Sequence, residues 1–160
     1  MIIFQHNQIT IETLPPMHVG CLRIVSPSPE TDCSQKLHAW LVQQAVSGPV
    51  RTFGFDTETT PAEAQAGKRG YEIWATLPPG IEPSEGVTVQ DFKGGQYAVM
   101  TLICPFTNPF ETIPAGWKFL HEWVIGSGQY QGGNHQWLEE LIEMSDGHNL
   151  KLYHPIVSSI

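Results

Sequence analysis

Glu139 stands among large apolar residues in Trp137-Leu138-Glu139-Glu140-Leu141-Ile142, the stretch of this chain best suited to chemistry. A carboxylate in such surroundings loses hydration, and a positively charged partner compensates for that loss. Whether it is buried depends on the local structure. As a helix, Trp137, Leu138, Leu141 and Ile142 make an apolar face, with Glu139, Glu140 and Glu143 in water. As a strand, Trp137, Glu139 and Leu141 share one face and Leu138, Glu140 and Ile142 the other. Leu and Glu are good helix formers, so local propensity leans to the helix. These six residues alone leave both readings open.

Other chemistries lack their residues. Seven histidines, His6, His18, His38, His121, His135, His148 and His154, form no His-x-x-x-His and no Cys/His cluster, so neither a metal nor another cofactor is expected. Gly126-Ser127-Gly128 lacks the flanks of a nucleophile elbow, and Gly67-Lys68-Arg69-Gly70 is not a phosphate loop. No nucleophile has a visible base, so no catalytic residue is assigned.

The 160 residues suit one domain or two small fused units, and 41% hydrophobic content with five Trp, seven Phe and four Tyr can fill a core. Eight basic against sixteen acidic residues give a net charge of −8. Such a surface repels phosphate, which argues against nucleic acid as a partner and favours a cation as any charged ligand. Cys21, Cys33 and Cys104 form no Cys-x-x-Cys pair and are odd in number, as reduced thiols would be. The first residues lack a basic segment and a long apolar run, and no stretch approaches the ~18 apolar residues that cross a bilayer. A soluble, cytoplasmic protein is expected, with no membrane partner.

The elements that must position Glu139 come from patterning along the chain. Strands are read at Ile9–Leu14, ending in Pro15-Pro16, and at Val19–Val25, ending in Ser26-Pro27. A helix capped by Thr31 or Asp32 runs to about Val46, and strands follow at Thr52–Asp56 and Tyr71–Leu77 around a loop from Thr59 to Gly70. The second half repeats the order. Strands at Val87–Phe92 and Tyr97–Ile103 precede a loop with Phe106, Pro109 and Phe110. A helix then runs from Thr112 to Ile125 with Ile113, Trp117, Leu120, Trp123 and Val124 as its stripe, and a last strand covers Leu150–Ile156. The halves, approximately residues 9–80 and 87–157, correspond at nearly constant spacing: Ser26-Pro27 with Cys104-Pro105, Trp74 with Tyr153, Asp56 with Glu139. In that register Trp137–Ile142 is a strand, because Phe53-Gly54-Phe55-Asp56 is too short and Gly-broken for a helix.

These stretches resemble the GyrI-like, or AraC-type, effector-binding domain. The matching segments are Leu14-Pro15-Pro16-Met17-His18-Val19-Gly20, Gly70–Pro78, Gly94–Val99, the strand with Glu139, and Leu152-Tyr153-His154-Pro155-Ile156. The resemblance spans nearly the whole chain as one domain. It implies an α+β fold in which two pseudo-symmetric βαββ units, each with a leading strand, form a concave antiparallel sheet with two helices and a central ligand groove. It also implies a glutamate on the penultimate strand facing that groove, the place Glu139 matches. The sequence departs from the pattern at Leu141, where a Tyr is common, and at Ser26 and Cys104, where glycine often precedes proline. No helix-turn-helix segment is visible, so the resemblance is to a free-standing ligand binder of the kind carried on mobile gene cassettes.

With that groove, Glu139 would be walled by Trp137, Trp74, Tyr153 and Leu141. Asp56 would add a second negative charge and Phe110 a further wall or lid. Aromatic rings attract cations by roughly 0.5–2 kcal/mol each. The ligands implied are lipophilic, cationic small molecules, sequestered or sensed. Two other activities follow from the resemblance: hydrolysis of electrophilic natural products with Glu139 as general base, and modulation of DNA gyrase by protein contact. A protein partner or a homodimer stays open.

Overall fold

In the computed structural model, which describes residues 2–159, the elements run β1 (Ile9–Leu14), β2 (Met17–Ser26), α1 (Pro29–Gln43), β3 (Thr52–Thr57), α2 (Pro61–Gln65), β4 (Arg69–Thr76), β5 (Thr88–Phe92), β6 (Gly95–Leu102), α3 (Pro109–Gly126), β7 (Tyr130–Gly132), β8 (Leu138–Met144) and β9 (Gly147–Ser158). The α+β class and the order strand, helix, strand, strand in each half are as expected. Both main helices start three residues or so before the expected caps, at Pro29 and Pro109. Proline suits the first helical position, where its missing N–H has no partner to lose. The expected loop from Thr59 to Gly70 holds α2, which Thr60 and Glu63 close with a reciprocal capping box.

Pro15-Pro16 keeps β1 from folding back on β2. Tight hairpin turns need positive φ, and proline holds φ near about −65°. β1 pairs instead with β6, and β5 pairs with β2, all antiparallel. The expected repeats at 9–80 and 87–157 therefore exchange their leading strands. The chain divides into two units, Pro16–Lys93 and the combination of Met1–Pro15 with Gly94–Ile160. The second change of unit runs through Gly94, whose φ is 78° and where a Cβ would lie 2.4 Å from the Leu14 carbonyl oxygen. Only glycine fits there.

In the Pro16–Lys93 unit the strand order is β3-β4-β2-β5. Cys33, Leu37 and Trp40 of α1 pack on Leu22, Ala75, Leu77 and Val87. Cys21 and Phe53 are the cross-strand neighbours of Trp74 on the face away from α1. In the Gly94–Ile160 unit the order is β1-β6-β9-β8, with β7 also pairing with β9. α3 lies on this sheet along the row Gly116, Leu120, Val124, the buried residues of the helix. The row covers Ala98, Met100, Leu102, Leu150, Leu152 and Ile156. The expected stripe missed Gly116, whose absent side chain lets the helix approach: a Cβ there would sit 2.9 Å from Leu102 Cδ2.

Burial pushes the Cys21 thiol up to about 12, with the charge of Glu72 adding to it, and the Cys33 thiol up to about 11. Cys104 is exposed. The folded protein should therefore react with dithiobis(nitrobenzoate) at Cys104 alone, and the denatured chain at all three cysteines, read by absorbance. Rapid modification of Cys33 in the native state would contradict the packing of α1 on its sheet.

Candidate functional site

The turn Ser145-Asp146 sets the geometry of the Trp137–Ile142 stretch. β8 and β9 form a hairpin in which Met144 opposes Gly147, so Leu138 opposes Tyr153 and Glu140 opposes Lys151. Cross-strand partners share a face. Tyr153, Glu140 and Leu138 therefore lie on the face away from α3, while Trp137, Glu139 and Leu141 lie on the α3 face with Leu150 and Leu152. The strand reading is correct, but the buried carboxylate is Glu140, 4% exposed. Glu139, expected to be the buried one, is half-buried. A step of one residue along a strand exchanges the faces, which is the whole of the difference.

Glu140 accepts a hydrogen bond from the Tyr153 hydroxyl, 2.6 Å from its Oε1, and both residues are buried. The Tyr97 ring meets Tyr153 edge-on at 5.5 Å and donates its hydroxyl to the Gln136 carbonyl at 2.6 Å. Burial holds the Tyr97 phenol well above its ordinary range, so it remains a donor. The Lys151 ammonium sits 5.3 Å from the centroid of the Tyr153 ring and 3.2 Å from Glu12 Oε1. One face of this unit thus carries a buried carboxylate, two phenol rings packed edge to face and a lysine–glutamate pair. Hydrogen-bond acceptors and π faces on one surface favour positive charge.

The other expected residues are placed differently. Trp137 is exposed in part and packs against His154 at 4.0 Å between ring centroids and against Trp117 at 5.5 Å. Leu141 is exposed beside it in the strand. Trp74 belongs to the Pro16–Lys93 unit, where its indole N–H donates to Glu72 Oε2 at 2.7 Å and its ring meets Phe55 and Phe92. Asp56 reaches solvent on the α1 side of that unit. The protein around its carboxyl raises its pKa by burial first and by Glu30 second, against the Arg69 guanidinium. Its counterpart in the Gly94–Ile160 unit is Leu141, not Glu139, since Trp74 opposes Phe53 as Tyr153 opposes Leu138. Phe110, expected in a loop, is in the first turn of α3 and 85% exposed. Glu140, Tyr97, Lys151 and Glu12 were not singled out from the sequence. Among the described residues, no three His, Cys, Asp or Glu side chains are grouped to hold a metal, and no helix is long and apolar enough to cross a membrane.

A histidine pair lies on the α3 face. His154 Nδ1 is 2.8 Å from the Pro155 carbonyl, which only accepts, so Nδ1 carries the proton and Nε2 accepts from His121 Nδ1 at 2.9 Å. Burial, with the neighbouring His121, holds the His154 pKa below its ordinary value. The unfolded chain then binds a proton more readily than the native protein. This contribution is complete above the unfolded value of about 6.5 and is lost as pH falls from there toward the folded value. Between pH 7 and 5 the urea midpoint should fall more steeply for the parent than for His154→Gln; parallel curves would show that His154 does not couple protonation to folding.

The family model described as Cass2, integron-associated effector binding protein, matches residues 10–156. No curated protein matches the chain. Among solved structures, the C-terminal domain of EcmrR is similar at a TM-score of 0.67 and 13% identity, over 93% of this chain and 96% of that one. The integron cassette protein VCH_CASS2, from the mobile metagenome of Vibrio cholerae, gives 0.52 at 9% identity, over 93% and 95%. SAV2435, solved bound to tetraphenylphosphonium, gives 0.51 at 9% identity, over 93% of each chain. At such identities these structures are alike in fold.

Proposed function

Because the chain belongs to the Cass2 family of integron-associated effector-binding proteins, whose activity is the binding of small molecules, we propose that its own ligands are lipophilic organic cations, met by Glu140 and the Tyr153 ring. The observation that carries this reading is the buried Glu140 bonded to a buried tyrosine, on a face where a cation already rests over that tyrosine's ring. A guest cation there gains charge pairing, cation–π attraction and burial of its apolar surface at about 25 cal/mol per Å2. The net charge of −8 favours its approach. The structural neighbour SAV2435 holds a compound of this class, tetraphenylphosphonium.

Glu140 takes the role that the resemblance suggested for Glu139. Trp74 with Glu72 is a second aromatic–carboxylate pair, in the Pro16–Lys93 unit, suited to the same class of guest. Asp56 and Phe110 have no part in the contact with the cation. Binding of this kind serves sequestration or sensing, and it tolerates many shapes because apolar area and one charge are all it requires. The test is calorimetric titration with tetraphenylphosphonium: saturable binding that Tyr153→Ala weakens is expected, and an absence of saturable binding would refute the reading.

A further inference from the structure

Resting on the proposed cation site, we propose that Lys151 is a resident cation: its ammonium holds the place over the Tyr153 ring that a guest's positive centre must take, and so sets which cations the site admits. Lys151 stands directly opposite Glu140 across the β8–β9 ladder. Its Nζ lies 5.3 Å from the Tyr153 centroid and is anchored by Glu12 Oε1 at 3.2 Å. The anchor comes from β1, which the exchange of leading strands has brought to this sheet, where Glu12 pairs with Tyr97. The edge-on Tyr97 ring occupies another side of Tyr153. The π face toward Lys151 is thus in use by the chain's own cation; Lys151 and Glu12 are half-buried and the Tyr153 ring beneath them is buried.

A guest that engages this ring displaces the ammonium toward Glu12. A small hydrated cation offers the ring the same attraction that Lys151 does and brings no apolar surface, so it gains nothing by the exchange. A bulky aryl cation adds the burial of its rings and wins. The lysine thus acts as a threshold in favour of large, flat or polyaryl monocations and against polyamines and simple ammonium ions. Its positive charge also gives an anion of equal bulk a partial foothold on the same face.

The experiment compares tetraphenylphosphonium, its isosteric anion tetraphenylborate, and tetramethylammonium, titrated into the parent, Lys151→Met and Lys151→Arg. Lys151→Met keeps the apolar stem and should bind tetraphenylphosphonium about five- to tenfold more tightly, bind tetraphenylborate more weakly, and acquire measurable tetramethylammonium binding. Lys151→Arg should keep the parent's order of preference; a merely structural role for the side chain would leave that order unchanged in Lys151→Met as well. Circular dichroism and denaturation establish that each variant is folded. Parent binding of tetraphenylphosphonium with unchanged affinities in Lys151→Met would overturn the resident-cation role while leaving the cation site standing. Absence of parent binding would remove both.

Discussion

Glu140→Gln should lose about 10- to 100-fold in affinity for tetraphenylphosphonium, while Glu139→Gln stays within about twofold of the parent. The two substitutions delete the same formal charge from adjacent residues of one strand, so net charge and long-range field change alike. They differ in face. Glutamine at 140 retains an acceptor for the Tyr153 hydroxyl, now 2.6 Å from Glu140 Oε1, so the packing of that buried side chain survives. What it removes is the charge. Charge-assisted contacts contribute about 1.5–3 kcal/mol, which sets the expected range. Calorimetry on both variants reads the result. The reverse pattern, with Glu139→Gln weak and Glu140→Gln unaffected, would move the ligand to the α3 face beside Trp137 and Trp117.

Leu120→Ala should cost about 2–5 kcal/mol of stability, a large part of what holds a domain of this size together. Leu120 is fully buried midway along the row Gly116, Leu120, Val124, between α3 and the sheet residues Met100, Leu102 and Leu152. The helix already lies as close as Gly116 permits, so it cannot settle further to fill a void at the next turn. Urea denaturation followed by tryptophan fluorescence measures the loss. Ile125→Ala, exposed on the same helix, should stay within about 0.5 kcal/mol. A loss below that level at Leu120 would mean that the α3 packing described here is not what stabilises the unit.

Patterning made the main elements legible, and the repeat made the least obvious one legible. Leu138–Met144 is a strand rich in helix formers, where tertiary pairing overrides propensity. The face of its carboxylate was harder to read. Alternation divides Glu139 from Glu140 but does not say which set is buried. The signal was present in Ser145-Asp146: a two-residue connection makes 138 oppose 153, and with it 140 joins Tyr153. The correspondence of Asp56 with Glu139 failed for a related reason, since equal spacing of residues is not equal ladder register once the connecting loops differ in length. β7 left no trace, being three residues ending in glycine. Lys151 and Glu12 could not be paired from the sequence, because nothing in it says that the strand at Ile9–Leu14 travels to β6.

That journey of the first strand bears on ancestry. A fragment equal to one repeat would own a leading strand with no neighbour of its own and an open sheet edge awaiting one. Two identical copies could each complete the other by lending that strand, which is how a domain-swapped homodimer is made. Duplication and fusion of such a gene would yield a single polypeptide with the loan made permanent, and each copy would then be free to diverge at matching positions, as Glu72 and Lys151 have done with opposite charge.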